Sequence, residues 1–187
     1  MRVLFIDAYE PDDPERRNAD TAFEVLAAAG HEVRRVDIAA DRFTPFMSAE
    51  ERRVYHDEGN NVLAEEVKRS VDGVRWSEAL MFCYPTTTFT VPAVLKAWFE
   101  RVLLPGVTFT FDAKGRVVSA MTNVRRLGVV TSTPHGRWAT ARARDRGRRS
   151  IMWTLRLSCA KTCRRTFVAV GTNTDSQAKI RRRLRSW

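Results

Sequence analysis

The sequence predicts an α/β fold, a mostly parallel sheet of five strands covered by helices on both faces, and three observations predict it. Short strand-like runs alternate with helix-like segments along the chain. The runs at Arg2–Ile6 and Ala79–Tyr84 are continuously apolar rather than alternating, as strands buried on both sides require. Gly30, Pro85 and Pro92 fall where such elements stop or start.

Arg2-Val3-Leu4-Phe5-Ile6 is the first run, short and β-branched. Ala22, Phe23, Leu26 and Ala27 carry a helical period from about Asn18 to Ala29, and Gly30 supplies the C-terminal stop. His31 to Asp37 reads as the second strand. A polar segment follows, with a helix near Asn61 to Val71. Ala79 to Tyr84 is the third strand, halted by Pro85, and Pro92 suits the first turn of a helix running to about Leu103. Pro105-Gly106 makes a turn, and Val107 to Phe111 pairs with Val117 and Val118 across the Asp112–Arg116 loop. Leu127 to Thr131 is the fourth buried strand. A basic loop then leads to a helix from about Arg148 to Ala160, a strand at Thr166 to Val170 and a helix from about Asp175 to Leu184.

With 187 residues, 44% of them hydrophobic, the chain can bury one sizeable core, and a single domain over residues 1–187 is expected. No window approaches the roughly 20 apolar residues of a membrane span. Met1 to Asp7 lacks the basic start and cleavage site of a secretion signal, so a cytoplasmic location is expected. Cys83, Cys159 and Cys163 cannot build a disulfide framework; on a helix, Cys159 and Cys163 would share a face. His31, His56 and His135 are scattered, and no metal is expected. The formal charge of +10 is uneven: residues 1–112 sum to −7 and residues 113–187 to +17. That asymmetry is compatible with nucleic acid, a membrane surface, a pocket for an anionic cofactor or the pairing of acidic and basic faces. Arg146-Gly147-Arg148-Arg149 and Arg181-Arg182-Arg183 come with no recognised nucleic-acid module, and nucleic acid is not an expected partner.

In an open parallel sheet, ligands bind beyond the carboxyl ends of the strands, where strand order reverses. This selects the loops after strand one (Ala8–Arg17), after strand three (Pro85–Val91) and after strand four (Ser132–Arg144). Thr86, Thr87, Thr88 and Thr90 place four hydroxyls, with backbone amides, between a strand end and a helix start. Such amides suit phosphate or carbonyl oxygens, and an ordinary capped, threonine-rich turn is the other reading.

Tyr84-Pro85, Phe89, Val91-Pro92-Ala93, Leu95-Lys96, Trp98-Phe99-Glu100-Arg101-Val102, Leu104-Pro105-Gly106-Val107 and Phe109-Thr110-Phe111 form one continuous pattern. It resembles the central signature of the NAD(P)H:quinone reductase family. The order of the flanking elements extends the resemblance over nearly the whole chain. It implies a flavodoxin-like three-layer sandwich, a homodimer, FAD or FMN held at the subunit interface, and NAD(P)H as co-substrate for ping-pong reduction of a quinone-like or other electron-poor small molecule. By position, Pro85, Thr86, Thr87, Thr88 and Phe89 would line one side of the isoalloxazine. Thr131, Ser132, Thr133, Pro134 and Gly136 would flank its other edge, and Asn18 matches an asparagine near the flavin phosphates. Trp98 and Phe99 suit the core or the dimer interface.

Several positions depart from the family pattern. Thr88 stands for an aromatic, Thr90 for a glycine, and the fourth-strand loop is poor in glycine. The usual catalytic Tyr and His have no counterpart. Arg16 and Arg17 replace a small hydroxyl residue; an arginine can hold phosphate bidentately, but Asp7, Glu10, Asp12, Asp13 and Glu15 surround them with negative charge. His135 is a candidate to hydrogen-bond the flavin edge or a quinone oxygen, and Trp138 to stack on substrate or cap the pocket. A solvated loop histidine and a packing tryptophan are the plainer readings. Arg137, Arg142 and Arg144 are candidates for the phosphates of the nicotinamide nucleotide. A non-catalytic relative serving as a partner subunit is the alternative function.

Overall fold

The computed structural model describes residues 1–143, 145–171 and 175–187, leaving aside the side chains at 137, 140 and 141. The first strand, β1 (Arg2–Asp7), is buried from Val3 to Asp7. It pairs in parallel with β2 (Glu32–Asp37) on one side and β3 (Ala79–Pro85) on the other. β3 pairs with β6 (Arg126–Ser132), and β6 with β7 (Arg164–Val170), giving the order β2-β1-β3-β6-β7. Between them, β4 (Phe109–Phe111) and β5 (Val117–Ser119) form an antiparallel hairpin turned by Asp112 to Arg116, as the sequence predicts.

The pleat divides the apolar residues between two layers. Val3 and Phe5 face α1 (Arg17–Ala28) and α7 (Ser176–Leu184), in a core with Leu26, Val168, Ile180 and Leu184. Leu4 and Ile6 face the other way, in a core with Leu80, Phe82, Leu95, Trp98 and Leu127. α3 (Glu65–Trp76) and α4 (Ala93–Val102) cover this second face. Trp98 is fully buried, and its indole N–H donates to Ser70 Oγ at 3.1 Å.

Three segments differ from the sequence reading. The helix expected from Asn61 begins at Glu65 instead, because the Asn61 amide donates to the carbonyls of Tyr55 and Pro105 and holds its segment in a loop. A short helix, α2 (Ala49–Arg53), lies in the polar stretch, closed by a Ser48–Glu51 capping box. Arg101 on α4 binds Glu51 (2.7 Å), Glu66 (2.9 Å) and the Thr44 carbonyl (2.9 Å), pinning this excursion to the domain. The helix expected over 148–160 is composite: α6 (Arg146–Arg149), a π-helical turn (Ser150–Thr154) and a 3-10 turn (Leu155–Ser158). Cys159 and Cys163 therefore do not share a helix face; the Cys159 thiol donates to the Leu155 carbonyl at 3.4 Å and the Cys163 thiol to the Arg164 carbonyl at 3.7 Å. A further helix, α5 (Arg137–Arg142), occupies the basic loop.

Candidate functional site

From β1 the chain passes to β2 on one side and, later, from β3 to β6 and β7 on the other, so order reverses at β1 and β3. The loops leaving these strands and β6 gather at one edge of the sheet. Tyr9, fully buried, ties the outer two together: its hydroxyl donates to Ser132 Oγ and accepts from the Ser132 amide, both at 3.0 Å. Burial pushes the Tyr9 phenol well above its ordinary range. Nothing in the sequence but its place after a strand marked Tyr9 as a brace.

The β3 loop is held from both sides. The Thr86 amide donates to the Ser132 carbonyl (2.7 Å), and the Thr86 and Thr131 hydroxyls share a hydrogen bond of 2.7 Å. On the far side, the Arg146 amide donates to the Phe89 carbonyl at 2.8 Å. Gly147 lets the start of α6 press against the loop, since a Cβ there would lie 3.0 Å from the Val91 nitrogen. Between these anchors the chain bends sharply, with Phe89 at φ 57°, a left-handed conformation uncommon for a bulky residue. The bend leaves the amides of Thr87, Thr88 and Phe89 without an acceptor among the described residues. Three adjacent N–H groups without acceptors are donors available to the carbonyl oxygens of a ligand ring.

His135 bridges the β3 and β6 loops. Its ring stacks on Phe89 with centroids 4.2 Å apart, and Nε2 donates to the Thr87 carbonyl at 2.6 Å. A carbonyl only accepts, so the proton sits on Nε2. In the neutral ring, Nδ1 is then left as an acceptor. Thr133 Oγ1 accepts from the His135 amide, and the Thr133 amide donates to Val170 O. Trp138 is 87% exposed and lines no part of the neighbouring cavity. Arg144 and the side chain of Arg137 lie outside the described residues.

The first loop is poorer in donors. Pro11 and Pro14 have no N–H, and the amides of Tyr9, Asp13, Glu15, Arg16 and Arg17 all bond within the loop. The Arg16 guanidinium is taken by Asp37 and by Asp7, which Arg35 also binds. Burial still lifts the Asp7 carboxyl above its usual range, against these arginines. Arg17 is exposed with no side-chain partner among the described residues, and buried Asn18 has an unpaired Oδ1. The β3 loop thus has the free donors a flavin ring would need, while the first loop offers a phosphate chiefly Arg17 and Asn18 amid Asp7, Glu10, Asp12, Asp13 and Glu15.

Next to these loops lies a cavity of about 1300 Å³, reached past Thr133, His135 and Gly136 and walled by α6, β7 and α7. No reading of the sequence joined the arginines of α6 to those of α7 around one cavity.

A family model described as a flavodoxin-like fold matches residues 1–186. The NAD(P)H dehydrogenase [quinone] 1 of Rattus norvegicus is 30% identical over 111 residues, 49% of this chain and 39% of that protein. FMN-dependent NADH:quinone oxidoreductase 1 of Idiomarina loihiensis is 38% identical over 65 residues, 33% of this chain and 35% of that protein. The chain thus spans under two-fifths of the length of these curated relatives. The solved NAD(P)H:quinone oxidoreductase from Methanothermobacter marburgensis superposes with a TM-score of 0.80 at 22% identity, covering 100% of this chain and 98% of that one. An FMN-dependent NADH-azoreductase from Bacillus anthracis in complex with FMN gives 0.71 at 14% identity, over 98% and 95%.

Proposed function

The chain belongs to the flavodoxin-like fold family, and on that premise we propose that it is a flavin-dependent NAD(P)H oxidoreductase that reduces a quinone-like or other electron-poor acceptor. The observation that carries this reading is the run of free amides at Thr87, Thr88 and Phe89. FMN is the flavin we favour, since it is the one named for the relatives from Idiomarina loihiensis and Bacillus anthracis. When bound, the flavin supplies the two-electron chemistry, and the protein supplies position and electrostatics.

In this reading the three amides donate to the ring carbonyls, and Pro85, Thr86 and Thr131 to Thr133 hold the loops at their spacing. His135 fixes the Thr87 carbonyl through Nε2 and presents Nδ1 as an acceptor. Arg17 and Asn18 answer the phosphate. Two copies of the chain pair, burying the exposed Phe111, Val117 and Leu157. Three free thiols suit a reducing, cytoplasmic setting; among the described residues, no helix is long and apolar enough to cross a membrane.

The test is the absorbance spectrum of the purified protein with added FMN, before and after anaerobic NADPH. Flavin bands that co-elute with the protein and bleach with the nucleotide are expected. A protein that stays colourless after reconstitution overturns the reading and favours a partner subunit without a cofactor, to which the acidic first loop also points.

That loop makes a quantitative prediction. The paired substitution Asp12→Asn and Glu15→Gln is expected to tighten FMN binding about fivefold by removing two nearby carboxylates. The gain should shrink as salt is raised, since exposed charges are screened. Fluorescence titration of FMN at two ionic strengths measures both.

A further inference from the structure

We infer that the cavity between α6, β7 and α7 holds the phosphate-bearing end of the reducing nucleotide and selects its 2′-phosphorylated form; this deepens, and rests on, the oxidoreductase reading.

The cavity begins at the loop that would flank the flavin, with Thr133, His135 and Gly136 on its wall, and ends among cations. Arg148 and Arg149 come from α6, and Lys179, Arg182 and Arg183 from α7. Asp145 is the one acid among the described lining residues, and its Oδ1 accepts from the Arg148 amide at 2.9 Å. Arg148 packs its guanidinium on Phe167, and Lys179 donates to the Ala169 carbonyl. The side chains of Arg149, Arg182 and Arg183 have no hydrogen-bond or ion-pair partner among the described residues. By contrast Arg181, one position away, turns from the cavity and pairs with Glu24 on α1.

Three guanidinium groups without partners among the described residues line one cleft around the edge strand β7, Arg149 from one side of the sheet and Arg182 and Arg183 from the other. They match an extended ligand with more than one phosphate, because each can bind an oxyanion in a forked pair of hydrogen bonds. The space, about 1300 Å³, is a half-open cleft with room for an extended ligand such as a dinucleotide. Trp153, 61% exposed on the cavity wall with Arg165 over its ring at 4.4 Å, offers an aromatic surface for a base. A phosphate monoester at the ribose adds about −1.5 to −2 to the pyrophosphate charge. This cation excess therefore discriminates NADPH from NADH more than it helps both.

Two variants from opposite walls test the site without a charge reversal: Arg182→Gln with Arg183→Gln, and Arg149→Gln. All three side chains are exposed and unpaired, so folding should be unaffected. Steady-state reduction of a quinone by the FMN-loaded protein should show the ratio of kcat/KM for NADPH to that for NADH falling about tenfold or more, with the FMN dissociation constant unchanged. In parallel, 2′-phospho-ADP-ribose and ADP-ribose are titrated against the flavin-free protein by Trp fluorescence. Tighter binding of the phosphorylated ligand, lost in the variants, supports the site even if no flavin binds and the oxidoreductase reading fails. An unchanged NADPH/NADH ratio with equal binding of the two ligands overturns it. Weakened FMN binding with an unchanged ratio also overturns it, and reassigns the cations to the flavin phosphate.

Discussion

Replacing Arg101 by methionine is expected to lower the unfolding free energy by about 3–5 kcal/mol, because it strands a buried carboxylate without its counter-charge. Arg101 is 4% exposed and grips Glu51 through two nitrogens, at 2.7 and 3.2 Å, and Glu66 through a third at 2.9 Å. Methionine keeps much of the stem's packing, so the loss reports charge rather than volume. Burial works to raise the Glu51 carboxyl, but the Ser48 amide and the Arg101 guanidinium outweigh it and hold the group below its usual range; Glu66 is lowered likewise, with Arg101 among the causes. A folded-state value below the unfolded one means stabilisation that is present above the ordinary carboxylate value of 4.5 and lost as pH falls through the depressed value. Urea unfolding of both proteins at neutral pH and again at acid pH measures this. The difference between them should be largest at neutral pH and should narrow in acid. A neutral-pH difference under about 1 kcal/mol would place the cluster with ordinary surface ion pairs.

Gly147→Val is expected to weaken FMN binding at least about tenfold and to cost about 1–3 kcal/mol of stability by overpacking. A Cβ at 147 would sit 3.0 Å from the Val91 nitrogen, 3.1 Å from the Thr90 carbonyl carbon and 3.3 Å from Val91 Cγ1. Two of these neighbours are backbone, so the β3 loop must move rather than a side chain swing aside. The same loop carries the amides of Thr87, Thr88 and Phe89. Gly147→Ala should give a smaller shift in the same direction, which separates steric displacement from general misfolding. FMN titration with parallel thermal melts reads both quantities. Unaltered FMN affinity in a folded Gly147→Val protein would mean that this loop does not hold the ring.

The central strands β1 and β3 were legible in the sequence because continuous apolar runs such as Val3 to Ile6 and Leu80 to Cys83 fit few other places. α1 was legible from its period and from Gly30, which adopts φ 78° at the helix end. The stretch before α3 was not. Ala49–Arg53 has no apolar period, and its helix rests on the Ser48–Glu51 box and on Arg101, 50 residues away. α6 and the turns after it mix three hydrogen-bonding patterns, which no single period describes.

The site divides in the same way. Strand order and loop position pointed to the loops Ala8–Arg17, Pro85–Val91 and Ser132–Arg144, since ligand loops follow from topology. Which donors stay free was decided by folding. Arg16, a phosphate candidate by position, meets Asp37 because β1 and β2 bring their carboxyl ends together. His135 meets Phe89 because the Thr86 and Tyr9 hydrogen bonds draw the loops into contact. Arg149 joins Arg182 and Arg183 around one cavity because α6 and α7 pack at the same edge strand. The sequence by itself determined the elements and the edge of the sheet where chemistry would gather, because hydrophobic period and chain order are local properties. Only the tertiary structure decided which charges and amides are consumed and which remain for a ligand, because that depends on neighbours far apart in the chain.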